Sequence, residues 1–291
     1  MGVLVKAANR RIAGRLSPRS RRRLARLLPH SAFDWLRRSR TDVFLVSFPK
    51  CGRTWLRVMI GRAFQRHYGL PDDVNLVELH RLADLDPRVP CVFATHDDDA
   101  QWKAPDQVTQ GKERFRDSRV LLLVRDPRDV IVSLYYQKRD RRRGYSGSLA
   151  EFLADPLGGF ESLLRFYDAW AGNLDVPAAV LVVRYEDLHE NPDAELRRVL
   201  AFVGVPDVSD PTVAEAVAFG SFENMRRLEE ADAFASEKLR PGRVGEYETY
   251  KTRRGQVGGY RDELTEAQIA HLNQLMSASE SARFGYAVSA T

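Results

Sequence analysis

Two cysteines, Cys51 and Cys91, stand in a chain of 291 residues. So sparse a pair sets out no disulfide framework and fits a reducing compartment. Long hydrophobic runs are lacking as well: the longest are about five or six residues, against the ~20 that a membrane span needs. No stretch near the N-terminus resembles the apolar core of a signal peptide, and there is no internal repeat or low-complexity tract. What is there is 44% hydrophobic and 29% charged, the make-up of a soluble globular protein with length for one large α/β domain or two small ones.

Acidic residues are scarce in one place only. Residues 1–40 hold one Lys and eleven Arg against Asp34 alone, a surplus of eleven positive charges. The whole chain stands at +5, so the remainder carries −6. The basic character is that of an N-terminal extension, residues 1–40, set before a catalytic body at 41–291. Leu24, Leu27, Leu28 and Trp35 give the extension an apolar side, while Pro18 and Pro29 divide it into short helices. Such an arm suits anionic lipid, nucleic acid or another acidic surface, or is a solvated arm with no specific partner. An anionic membrane surface is the partner expected of it, and nucleic acid is not. The protein is expected in the cytoplasm, peripheral at the membrane.

From Asp42 onward short apolar strands alternate with helices. VFLVSF (43–48), CVFATH (91–96), RVLLLVRD (119–126) and a stretch within 176–188 read as strands. Helices are expected at 55–69, ended by Gly69, and from about Pro127 to Lys138. Further ones are expected in 148–172, in 191–205 with Pro192 near the start and Gly204 at the end, in 210–230 with Gly220 as an interruption, and in 264–286. Residues 232–262 read as mobile loop. All-apolar strands between helices imply a central parallel sheet covered by helices in a single α/β domain. In such sheets ligands sit beyond the carboxyl ends of the strands, where Lys50, His96 and Arg125 fall.

FLVSFPKCGRTWLR (44–57) is a strand, a turn with Gly52 and a helix start. Backbone N–H groups at such a turn converge, and the helix N-terminus adds partial positive charge. Lys50 brings a full charge and Thr54 a hydroxyl. A phosphate-like anion fits, although such turns also serve only to connect. The Walker A pattern is missing, because Lys50 precedes Gly52 and no Lys-Ser/Thr pair opens the helix, which disfavours the alternative of a P-loop nucleotide kinase or NTPase. In VRDPRDVIVSLYY (124–136), Arg125 ends a strand and Ser133 lies two helical turns on. Together they suit a second phosphate, or Arg125 simply pairs with Asp126 or Asp129. Arg253 and Arg254, followed by Gly255, read as a basic flap or as a solvated charge run.

These motifs together resemble the PAPS-dependent sulfotransferases. SFPKCGRTW looks like their 5′-phosphosulfate loop, and VRDPRDVIVSLYY like their 3′-phosphate motif. RYEDLHENP, GSFENM (220–225) and RRGQVGGY are similar to three later segments, in the family's order, over residues 43 to about 265. The resemblance implies the P-loop-like sulfotransferase fold. It implies transfer of a sulfuryl group from 3′-phosphoadenosine 5′-phosphosulfate (PAPS) to an acceptor hydroxyl, less readily an amine, with adenosine 3′,5′-bisphosphate (PAP) released and no metal. It puts Lys50 at the leaving phosphate and His96 as general base. Lys50, Cys51, Gly52, Arg53, Thr54 and Trp55 would hold the phosphosulfate end. Arg125, Ser133, Arg253, Arg254 and Gly255 would hold the 3′-phosphate. Trp55 and Phe222 would sandwich the adenine, with Tyr185, Ser221 and Met225 beside it; packing in the core is the other role for Trp55, Phe222 and Met225.

The chain departs from the family's pattern in four places. Ala94 replaces a lysine before the Thr-His pair, and Arg53 replaces a small hydroxyl residue and would partly compensate. Gly259-Tyr260 stands where Asp-Trp is usual, which puts the flap's rigidity in question. The dimer motif is not kept at Arg261, Thr265, Glu266 and Ala270. Acceptor walls are expected at 97–116, 138–160 and 226–250, for a hydroxylated small molecule, lipid or glycan. KRDRRRGY (138–145) either draws a carboxylated or sulfated acceptor or is a solvated helix end. Asp97, Asp98 and Asp99 are adjacent on one segment and make a poor metal site.

Overall fold

The structure is a computed structural model that describes residues 39–141, 144–234, 236 and 239–287. The basic arm therefore lies outside the described residues, apart from Ser39 and Arg40.

Four short strands form one parallel sheet. They are β1 (Val43–Val46), β2 (Val92–Thr95), β3 (Arg119–Val124) and β4 (Ala179–Arg184), in the order β2-β1-β3-β4. Val43 is in register with Val92 on one side and with Arg119 on the other, and Arg119 with Ala179. Every residue of the inner strand β1 is buried, as are Val120 to Val124 of β3, which is what all-apolar strands covered on both faces require. The outer strands β2 and β4 are only half-buried along most of their length.

The flanking helices follow their sequence signals. Helix α1 (Arg53–Tyr68) ends at Gly69 with φ 66°, and α2 (Leu79–Leu82) is a single turn. Helix α3 (Pro127–Tyr136) starts with Pro127 in its first turn and the Asp126 side chain accepting from the Arg128 N–H. A π-helical turn, Gln137–Arg141, extends it. After α4 (Leu149–Leu153) and α5 (Phe160–Ala171) come β4 and the short α6 (Tyr185–Glu190). Then α7 (Pro192–Val203) closes on Gly204 with φ 96°. The expected break at Gly220 separates α8 (Asp210–Phe219) from α9 (Phe222–Glu230). The C-terminal helix α10 (Glu266–Ser277) is shorter than expected, because its tail tightens into a 3-10 turn at Glu280–Phe284.

The sheet order puts β1 between its two successors, so the chain leaves β1 toward one side for β2 and then crosses to the other for β3. Beyond the carboxyl ends of β1 and β3 the connections diverge and leave a crevice. Lys50, His96 and Arg125 follow β1, β2 and β3 respectively, and all face it.

Candidate active site

The crevice opens into a cavity of about 1050 Å³. That exceeds the usual upper range for one small ligand, so there is space for two. Its floor is the turn after β1. Lys50 has φ 74° and Gly52 φ 86°. The left-handed pair folds the chain tightly onto the start of α1, where the Leu56 N–H reaches the Gly52 carbonyl at 3.1 Å. A Cβ at Gly52 would lie 2.6 Å from the Tyr185 ring, so the turn needs glycine for space as well as for conformation. Burial, with Arg141, Arg125 and Arg253 nearby, pushes the Lys50 amine down to about 7, against the pull of Glu229.

His96 follows β2. Its Nδ1 lies 2.9 Å from the Ser47 carbonyl, which can only accept. That contact fixes the proton on Nδ1 and turns the Nε2 lone pair into the cavity, where Arg53 Nη2 donates to it at 2.6 Å. Burial first, and then the Arg53 charge, hold His96 well below the usual imidazole range, so it is neutral. The other terminal nitrogen of Arg53, Nη1, is buried without a hydrogen-bond partner. Arg53 is itself pushed down to about 9 by burial and by Arg57.

Arg125 follows β3. Nη1 donates to the Lys50 carbonyl at 3.2 Å and Nη2 to the Gln256 carbonyl at 2.9 Å, while Nε is buried without a partner. The guanidinium also lies 3.6 Å from Asp129, so the simple ion pair that the sequence allowed does form; the same arginine nonetheless lines the cavity. Buried guanidinium nitrogens without a protein partner, on both Arg53 and Arg125, suit an anion.

The segment read as mobile loop is tied down across its second half. Asp129 of α3 accepts from the Gly258 N–H at 2.8 Å and the Tyr260 N–H at 2.9 Å. Glu263 holds Arg253 at 2.8 Å and Arg254 at 3.1 Å. Glu229, fully buried, accepts from the Lys251 and Thr252 N–H groups and the Thr252 hydroxyl. Tyr260 is buried beneath the flap. The rigidity questioned at Gly259-Tyr260 is restored by a carboxylate that the motif does not include.

A model of the sulfotransferase domain matches residues 40–283. The chain belongs to the sulfotransferase family. It is an enzyme of PAPS-dependent sulfuryl transfer, which sets aside the nucleotide-kinase alternative. Among its relatives, Sulfotransferase 6B1 of Danio rerio is 26% identical over 248 residues, 80% of this chain and 76% of that protein. Cytosolic sulfotransferase 14 of Arabidopsis thaliana is 27% identical over 269 residues, 81% and 74%. A mouse sulfotransferase complexed with PAP shares the fold at a TM-score of 0.55 and 23% identity, covering 82% of this chain and 84% of its own. Retinol dehydratase, complexed with androsterone and PAP, does so at 0.51 and 16%, covering 81% and 80%. No helix among the described residues is long and apolar enough to cross a membrane.

The sulfotransferase cavity gathers Lys50, Gly52, Arg53, Thr54, Trp55, His96, Arg125, Ser133, Tyr185, Phe222, Met225, Arg253, Arg254 and Gly255. Two expected residues do not line it. Cys51 is fully buried with Sγ 3.8 Å from the Tyr167 hydroxyl, and burial pushes its thiol up to about 12; its side chain serves the core. Ser221 caps α9, its hydroxyl accepting from the Asn224 N–H at 3.4 Å. Of the three residues for which core packing was the other role, Met225 is buried in a core cluster, Trp55 packs against the core with its indole N–H donating to the Gly220 carbonyl at 2.7 Å, and Phe222 is 41% exposed. Gly255, with φ 64°, lets the flap backbone approach Phe222, whose ring a Cβ would meet at 2.5 Å.

Of the acidic run, Asp97 pairs with Lys112 at 3.0 Å and with Arg114, Asp98 pairs with Lys103 at 2.5 Å, and Asp99 lines the cavity. In the described part of the basic stretch after α3, two residues turn inward. Lys138 is buried with Nζ donating to the Gln101 carbonyl at 2.9 Å, and Arg141 lines the cavity. Arg57 and Lys251 line it too, and neither was expected. Arg57 had a signal, since it lies one helical turn after Arg53 on the same face of α1. Lys251 was masked by its neighbours Arg253 and Arg254 in one charge run.

Proposed function

We propose that this enzyme transfers the sulfuryl group of PAPS to a hydroxyl of a small acceptor by in-line displacement, with His96 as general base. The observation that carries the reading is the state of His96: neutral, its proton fixed on Nδ1 by Ser47, its Nε2 lone pair aimed into the same cavity as Lys50. The acceptor oxygen forms a bond to sulfur as the bond from sulfur to the bridging phosphate oxygen breaks. The acceptor proton passes to Nε2 and the leaving bisphosphate takes the electron pair. Lys50 meets the charge that grows on that oxygen. An amine near neutral pKa gains its proton most readily when an anion arrives beside it.

Arg53 fills two needs in this scheme. Its Nη2 caps Nε2 at 2.6 Å. With PAPS bound it turns to the sulfuryl oxygens, supplies the cation that Ala94 does not, and frees the base. The 3′-phosphate sits against Arg125, Ser133, Arg253, Arg254 and the Gly255 amide, and the adenine lies between Trp55 and Phe222 beside Tyr185 and Met225. No metal takes part.

Substituting His96→Ala tests the base directly. Turnover is expected to fall at least about a hundredfold while thermal stabilisation by PAP persists. Full activity in that variant removes His96 from the mechanism. The basic arm, residues 1–40, is assigned as a tether that brings this body to an anionic membrane surface, which would also present lipid-linked or glycan acceptors.

A further inference from the structure

Arg125 stands where the sheet releases the chain. Strand β3 is in register with β4 as far as Val124, which faces Arg184. The backbone groups that follow leave the ladder, and buried ones must find partners elsewhere. Side chains supply them. The Tyr167 hydroxyl, fully buried on α5, donates to the Arg125 carbonyl at 2.6 Å and accepts from the Arg125 N–H at 3.1 Å. The Asp126 N–H donates to Glu186 Oε1 at 2.9 Å. Three consecutive main-chain groups are thus held by α5 and α6 rather than by a strand.

Both holders are themselves held. A phenol has one proton and two lone pairs. The Tyr167 proton goes to a carbonyl that can only accept, and one lone pair takes the Arg125 N–H. At 3.8 Å the Cys51 thiol therefore donates to the other. Burial keeps both groups protonated, pushing the phenol well above its ordinary range and the thiol up to about 12. Cys51 belongs to the turn after β1, so one hydroxyl ties that turn to the end of β3. The Tyr286 hydroxyl donates to Glu186 Oε2 at 2.6 Å, and the Tyr286 ring stacks on Tyr167 with centres 6.4 Å apart. Neither Tyr167 nor Glu186 lines the cavity.

This backbone carries the Arg125 guanidinium, which the proposed function, on which this inference rests, sets against the 3′-phosphate. The tip of the side chain is steered by the Lys50 and Gln256 carbonyls, which lie in the turn and the flap. Its root is fixed by Tyr167 and Glu186. The two-bond grip of a guanidinium on a phosphate depends on direction, so a shift at the root is felt at the tip. We infer that Tyr167 and Glu186 are positioning residues for the 3′-phosphate: they lock the Arg125–Asp126 backbone, and Tyr167, through Cys51, sets that arginine against the Lys50 turn.

The test compares PAP with adenosine 5′-phosphate, which lacks only the 3′-phosphate, by calorimetric titration of the full chain. The unsubstituted protein is expected to bind PAP at least about tenfold more tightly. In Tyr167→Phe and in Glu186→Ala, each checked for an unchanged fold by circular dichroism, that preference is expected to fall about fivefold or more, while the Kd of adenosine 5′-phosphate changes less than about twofold. Glu186→Gln keeps an oxygen for the Asp126 N–H and is expected to retain the preference. If one of the two damaging variants does not fold, the other decides. Hydrogen exchange in the unsubstituted protein needs no variant: the Arg125 and Asp126 amides are expected to exchange slowly before any nucleotide is added. Equal weakening of both nucleotides, which a merely structural role would produce, overturns the inference. So does a preference kept in the folded variants, or fast exchange at those two amides. No preference for PAP in the unsubstituted protein overturns the donor reading itself, and the inference with it.

Discussion

Arg53 and His96 meet in one 2.6 Å contact, on which the proposed chemistry turns. A guanidinium donating to a histidine's free nitrogen keeps the ring neutral and lowers its appetite for a proton, since the imidazolium would face a cation at hydrogen-bond distance. Arg53→Thr removes that cation. The protonated form is then less penalised and the histidine pKa rises toward its ordinary 6.5. Since the proposed base acts as the neutral ring, the acid limb of the kcat/KM profile is expected to move to higher pH in the variant. A limb that stays in place means that Arg53 does not govern His96 in the working enzyme. Turnover at the pH optimum is expected to fall as well, because no lysine stands at Ala94 to replace the lost charge.

The elements carry a different part of the account, and here Asp129 is the informative residue. It sits on α3 between Arg125 and the flap, holding two flap N–H groups and lying 3.6 Å from the Arg125 guanidinium. Asp129→Ala leaves those donors unpaired, at about 1–3 kcal/mol for each buried group. PAP affinity is expected to fall about tenfold or more, with faster hydrogen exchange in residues 255–260. Unchanged affinity shows that the flap is held by Glu263 and Glu229 alone. The strand-turn-helix units were legible in the sequence because apolar runs, Pro127, Pro192, Gly69 and Gly204 each carry a local physical signal. The flap's anchoring was not, because Asp129 and Tyr260 are 131 residues apart and no local pattern joins them. Cys51 and Ser221 show the same limit in miniature. A motif places a residue in a turn, but the backbone decides whether its side chain faces the cavity, the core or a helix end. The π-helical turn that swings Arg141 into the cavity left no pattern in KRDRRRGY at all.

At the scale of the whole molecule, the charge map separates two tasks. The body from 41 to 291 has a net charge of −6 yet lines its cavity with cations, so the field there is local rather than global. The basic arm holds the opposite surplus and matches none of the family's motifs. Removing residues 1–40 is expected to abolish sedimentation with vesicles containing anionic phospholipid while sulfuryl transfer to a soluble acceptor persists. Vesicle binding that survives the deletion, or transfer lost from a folded body, rules out the tether. The central claim is that the crevice beyond β1 and β3 reads a 3′-phosphate, and thermal unfolding tests it most directly. PAP, ADP and ATP with Mg²⁺ are compared at matched concentrations. A ligand at a hundred times its Kd adds about 2.7 kcal/mol, a rise of several degrees in Tm for a domain this size. The account expects that rise from PAP and little from ADP or ATP. Equal stabilisation by ATP, or none by PAP, would contradict it.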